Sequence, residues 1–98
     1  MKIEWRDKSI EELQAIYDYI YFRSPQNAEN VVDTLLELGN SLAEFPAKFP
    51  VEPILNQENV RFVVKWDYKI IYRIEKDKII ILRVFHSRQD SEKLKNKN

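Results

Sequence analysis

The sequence predicts an α+β domain of order β-α-α-β-β-β, a helical hairpin packed on one face of a small, mainly antiparallel sheet. Three observations carry that expectation. Residues 9–23 and 25–44 show apolar side chains at helical spacing, and only Ser24-Pro25 separates them. Residues 68–74 and 79–85 are rich in Ile, Val, Tyr and Phe, residues suited to a pleated, packed surface. Between these runs lies Glu75-Lys76-Asp77-Lys78, a polar break that fits a tight antiparallel link.

Each element has a local reason. Residues 2–6 alternate polar and apolar, so they read as a short half-buried strand with Trp5 anchored in the core. Ser9 and Glu12 have the spacing of a capping box, which would start the first helix at Ser9. Ile10, Leu13, Ile16, Tyr17 and Ile20 then fall on one face. Proline disfavours α conformation at Ser24 and suits a first helical turn at position 25, so a second helix follows almost without a loop. Its stripe is Ala28, Val31, Val32, Leu35, Leu38 and Leu42. Gly39 interrupts that helix at a cost of about 1 kcal/mol relative to Ala; close packing and a plain weak point are both open as reasons. Residues 47–59 follow Pro46, contain Pro50 and Pro53, and read as an irregular surface connection. Residues 60–66 alternate well enough for a strand, and Asp67 turns the chain into the next one. Residues 1–90 are expected to form one domain, and the polar, basic tail 91–98 to fray.

Composition removes several function classes. There is no cysteine, so disulfides and thiolate metal sites are excluded, and a reducing cytoplasm is the expected location. One histidine cannot build a His-rich metal centre, and one glycine leaves no phosphate-cradling glycine loop. The polar N-terminal residues do not resemble a signal peptide, and no apolar run approaches the ~20 residues of a membrane helix. No cofactor is expected. The net charge of zero conceals an asymmetry: residues 1–60 sum to −6 and residues 61–98 to +6. The halves are expected to cancel in sum but not in space, so the strand region would offer a basic surface for nucleic acid or an acidic partner segment.

The segments Ser24-Pro25 with the Ala28 helix, Tyr68-Lys69-Ile70-Ile71-Tyr72, and residues 81–88, read in that order and spacing, resemble the RelE/ParE superfamily of bacterial toxins. The resemblance covers nearly the whole chain. It implies the toxin half of a type II toxin–antitoxin pair, neutralised by a cognate antitoxin that wraps it, with a homodimer or a heterotetramer as possible assemblies. RelE-like and YoeB-like members cut messenger RNA on the ribosome, whereas ParE-like members poison DNA gyrase without cleaving RNA. The ending at residues 83–90 looks more like the ParE type. A third reading is a binding module of this fold without toxicity.

In the ribonuclease reading the resemblance assigns catalytic roles to Glu52, Lys69 and His86. Glu52-Pro53 resembles the Glu-Pro of YoeB-like members, and His86 fits their histidine near the end of the last strand. Lys69 stands where such members usually have arginine, and Ser87 where an aromatic follows the histidine. Lysine keeps the charge but lacks the planar fork for phosphate, and serine removes a stacking surface for a base. Chemically, a histidine near its ordinary pKa can act as acid or base at neutral pH, Glu52 could be the second proton carrier, and Lys69, Arg73 and Arg61 could stabilise phosphate charge. Arg61, Arg73, Arg83 and Arg88 are the candidate binding residues. Two-residue hairpin links would put Lys69, Arg73 and His86 on one sheet face and Arg61, Tyr72 and Arg83 on the other, unless a bulge intervenes. Arg83, inside an apolar strand, needs a carboxylate or an antitoxin group as partner.

Overall fold

The computed structural model describes residues 1–89. The expected tail 91–98 and Asp90 lie outside them. The order is β1 (Lys2–Trp5), α1 (Asp7–Tyr21), α2 (Pro25–Ser41), β2 (Val60–Lys65), β3 (Tyr68–Ile74) and β4 (Lys78–His86), the β-α-α-β-β-β order expected. The strands form one sheet in the order β1-β4-β3-β2. The last three make an antiparallel meander, and β1 joins β4 in parallel.

The two helices cover one face. Leu13 of α1 and Val31, Leu35 and Leu42 of the α2 region pack on Val63, Ile70, Tyr72, Ile79, Ile81 and Val84. The opposite face has a smaller core, Val60, Ile71 and Phe85, closed by Ile54, Leu55, Phe62 and Leu82. So the 50–58 connection is a lid on the sheet rather than a loose surface crossing.

Two local expectations change, both in α1. Arg6, not Ser9, is the N-cap of α1, and it makes no side-chain cap bond. Ser9 lies inside the helix, buried, and its hydroxyl donates to the Arg6 carbonyl at 2.7 Å. Consequently the inward face of α1 includes Ser9, Glu12 and Leu13, while Ile10 is exposed. The capping spacing misled because Glu12 is engaged by β4 instead. At α2 the expectation holds: Ser24 is the N-cap, its Oγ accepts from the Asn27 N–H at 3.1 Å, and Pro25 occupies the first turn.

Gly39 has a packing reason. A Cβ there would overlap Cζ2 and Cη2 of Trp5, so the missing side chain is the space the indole occupies. Trp5 Nε1 also donates to Asn40 Oδ1 at 3.0 Å, fastening β1 to α2.

Both hairpins have the expected two-residue start. Lys65 pairs with Tyr68 across the Trp66-Asp67 link, and Arg73 pairs with Ile80. The β3–β4 register then slips: Tyr72 faces Ile81, but Ile71 faces Arg83, which leaves Leu82 as an extra residue. Beyond that bulge Lys69 pairs with Phe85 and Tyr68 with His86.

Candidate functional site

The bulge decides which side chains can act together. By register His86 lies on the helix-covered face with Tyr68, and Arg83 lies on the face of Lys69 and Arg73. The face assignment expected for these two residues is therefore reversed. Arg61 and Tyr72 share one face, as expected, and it is the helix side; Lys69 and Arg73 share the other, also as expected.

Glu52 is 0% exposed and Lys69 is 3% exposed, and they form an ion pair with each other. Oε2 of Glu52 also accepts the backbone N–H groups of Ile54, at 2.7 Å, and Leu55, at 3.0 Å. Main-chain bonds from Glu52 N–H to the Val60 carbonyl and from Asn56 N–H to the Glu52 carbonyl complete the turn. The Lys69 ammonium stands 4.4 Å from the centroid of the Phe62 ring. This pair ties the 50–58 connection to β3, inside the smaller core. A charge held this way needs its partners to remain.

Arg61 and Tyr72 fasten the start of the same connection. Arg61 Nη1 donates to the carbonyls of Phe49 at 2.9 Å and Ala47 at 3.1 Å, and Nη2 reaches Glu58 Oε1 at 3.1 Å. The Tyr72 hydroxyl donates to the Pro46 carbonyl at 2.5 Å. Burial pushes the Tyr72 phenol up to about 12, against a smaller lowering by the Arg61 charge. Arg73 Nε donates to Glu75 Oε2 at 2.8 Å across the end of its own strand.

Arg83 has the carboxylate partner its setting demands. Nη2 lies 2.9 Å from Glu12 Oε2 and Nε lies 3.1 Å from Oε1, a two-pronged contact, with the Phe85 ring 5.0 Å from the guanidinium carbon. Glu12 Oε1 also accepts the Val84 N–H at 2.9 Å. The reason is topological. β1 ends opposite Ile81, so β4 has an open edge beyond it, and α1 lays a carboxylate there in place of a strand. Glu12 was not among the sequence candidates, although a buried arginine announces that some carboxylate must meet it.

Above that pair lies a groove of about 480 Å³ lined by Ile16, Tyr19, Tyr68, Val84, Phe85 and His86, among others. The Tyr68 and His86 rings meet edge to face with centroids 5.8 Å apart. His86 Nδ1 accepts the Arg88 N–H at 3.2 Å, which leaves Nε2 as the ring's donor position when neutral. Burial raises the Tyr68 phenol, with Tyr19 and Asp67 adding to the rise. Arg88 is exposed. Glu52 and Lys69 are thus together, His86 is on the far side of the sheet, and the four arginines are dispersed.

The charge asymmetry also resolves differently from the expectation. Glu4–Lys78 at 3.2 Å, Glu12–Arg83, Glu52–Lys69 and Glu58–Arg61 each join an acid from the first 60 residues to a cation from the remainder. Four acids of the first 60 residues thus meet four cations of the remainder, so these four sheet cations do not form a basic surface. Among the described residues no group of His, Asp and Glu could hold a metal ion, and no helix is long and apolar enough to cross a membrane.

Comparison with known proteins gives a consistent placement. No curated protein sequence matches the chain. In fold it is similar to a chain of the chromosomal ParDE TA system from P. aeruginosa, with a TM-score of 0.72, 26% identity, and coverage of 88% of this chain and 95% of that one. It is also similar in fold to a chain of the toxin–antitoxin complex RelBE2 from Mycobacterium tuberculosis, with a TM-score of 0.63, 18% identity, and coverage of 87% and 88%. The family described as "ParE toxin of type II toxin-antitoxin system, parDE" matches residues 3–91, nearly the whole sequence, and the chain therefore belongs to the ParE toxin family of type II toxin–antitoxin systems.

Proposed function

We propose that the chain arrests bacterial growth from the cytoplasm by poisoning DNA gyrase, and that a cognate antitoxin holds it inactive until released. The family match over residues 3–91 carries this reading. The geometry favours it over RNA cleavage. Cleavage at a ribose 2′-OH needs two proton-transfer groups and a cation around one phosphate. Here Glu52 and Lys69 are buried against each other, and the register puts His86 on the opposite face. That separation supports the gyrase reading over one in which the three residues act on a single phosphate.

The antitoxin reading is supported by the solved relatives, which come from ParDE and RelBE2 pairs. The groove between α1 and the end of β4, with Ile16, Tyr19, Tyr68 and His86 on its walls, suits an amphipathic segment. Purified protein tests the target. Inhibition of gyrase supercoiling with translated message left intact is the expected result. Message cut in the presence of ribosomes, with gyrase unaffected, would transfer the reading to the ribonuclease branch. Growth without arrest when the chain is expressed alone would leave only the non-toxic binding module.

A further inference from the structure

The β2–β3 hairpin turns on a residue that does not suit the turn. Trp66 has φ 55°, and Asn56 is the other non-glycine residue with positive φ among those described. Of the two link residues Trp66 is the first, and Asp67 does not share its positive φ, which is the φ pattern of a type II′ turn. That first position ordinarily takes glycine. Here it carries the bulkiest side chain available, 55% exposed. Folding alone gives no reason for an exposed indole on a left-handed backbone.

The surroundings narrow what the indole is for. The Lys65 ammonium lies 5.1 Å from the Trp66 ring centroid. The Ser87 N–H donates to the Asp67 carbonyl at 2.7 Å, so the segment carrying exposed Arg88 is fastened to this same tip. Five other cations of β2–β4 are joined to carboxylates, whereas among the described residues Lys65, Lys76 and Arg88 make no ion pair, and Lys65 and Arg88 belong to the two segments joined at this tip. Asp67 is the acid of the link itself. An exposed flat ring beside cations that have no carboxylate partner is the minimal form of a stacking platform with phosphate contacts.

From this juxtaposition we infer that the β2–β3 tip is a contact for single-stranded nucleic acid, one unstacked base lying on Trp66 and the adjoining phosphates facing Lys65 and Arg88. An acidic peptide would satisfy the cations but leaves the indole unexplained. The inference does not depend on gyrase as the target, because the contact is chemical and precedes any enzyme.

The test titrates the full chain with fluorescein-labelled dT12 and U12 at 50 and 200 mM salt, with poly-glutamate as a competitor. Trp66→Gly relieves the turn, so its melting temperature should equal or exceed that of the wild type. Its affinity for the oligonucleotide should fall roughly tenfold or more, and Trp66→Phe should recover part of the loss. Lys65→Ala should weaken binding and flatten its salt dependence. A preference for dT12 or U12 assigns the polymer. Absence of salt-sensitive binding to either oligonucleotide, or unchanged binding by Trp66→Gly, overturns the inference. So does poly-glutamate displacing the oligonucleotide equally from wild type and Trp66→Gly. If Trp66→Gly loses gyrase inhibition while the wild type binds no oligonucleotide, the tip is a protein contact instead and the gyrase reading survives.

Discussion

Glu52 shows how a residue's chemistry can be reassigned by its surroundings. A loop carboxylate before proline resembles a catalytic base, yet this one is enclosed and accepts two backbone N–H groups besides the Lys69 ammonium. Removing one member takes a charged partner from the buried other, so Glu52→Ala or Lys69→Ala should each destabilise the fold by up to about 3–5 kcal/mol in urea unfolding. Replacing both with apolar residues of similar volume should cost less than the sum, which a double-mutant cycle measures. Tyr72 makes a separate prediction. Burial lifts its phenol from the ordinary 10.0 to about 12, so the folded state holds the proton more tightly. The associated stability is complete below pH 10 and is lost as pH rises toward 12. Tyr72→Phe should flatten the decline of unfolding free energy over that alkaline window, while losing the Pro46 carbonyl bond at neutral pH. At this scale the sequence revealed that Arg83 needed a partner, because an arginine in an apolar strand has few alternatives. It did not reveal Glu12, since that pairing spans most of the chain and depends on β1 stopping opposite Ile81.

The helices and strands were legible where their periodicity was long. α2 begins at the position Ser24-Pro25 announced and buries Ala28, Val31, Leu35 and Leu42 from the expected stripe. Ser24→Ala should lower stability by about 1 kcal/mol, read from the thermal midpoint. The interior of β4 was less legible. Residues 79–82 are all Ile or Leu, so alternation cannot mark the extra residue, and the slip at Leu82 reverses the faces of Arg83 and His86. α1 was misread at its start because a buried polar edge mimics a capping motif. Gly39 offers the cleanest test at the level of packing. Alanine improves helix propensity by about 1 kcal/mol, but its Cβ would overlap the Trp5 ring. Overpacking costs about 1–3 kcal/mol, so Gly39→Ala should be net neutral to destabilising despite the better helix former. Adding Trp5→Leu should make the same alanine favourable, a sign change that propensity alone cannot produce.

Across the molecule, the opposite charges of the two halves serve assembly of the fold. Glu4, Glu12 and Glu52, from β1, α1 and the 47–59 connection, meet cations of the sheet, so that distant segments of the chain are joined by ion pairs as well as by the core. The cations of these pairs do not make the expected basic surface, and the aromatic groove beside His86 and the tip at Trp66 are among the surfaces open to recognition. The measurement that bears most directly on the function compares wild type with His86→Ala in two reactions, supercoiling by gyrase and primer extension on translated message. Gyrase inhibition by the wild-type protein with no new message ends in either sample is the predicted outcome. Message ends produced by wild type and abolished by His86→Ala, with supercoiling untouched, would contradict it.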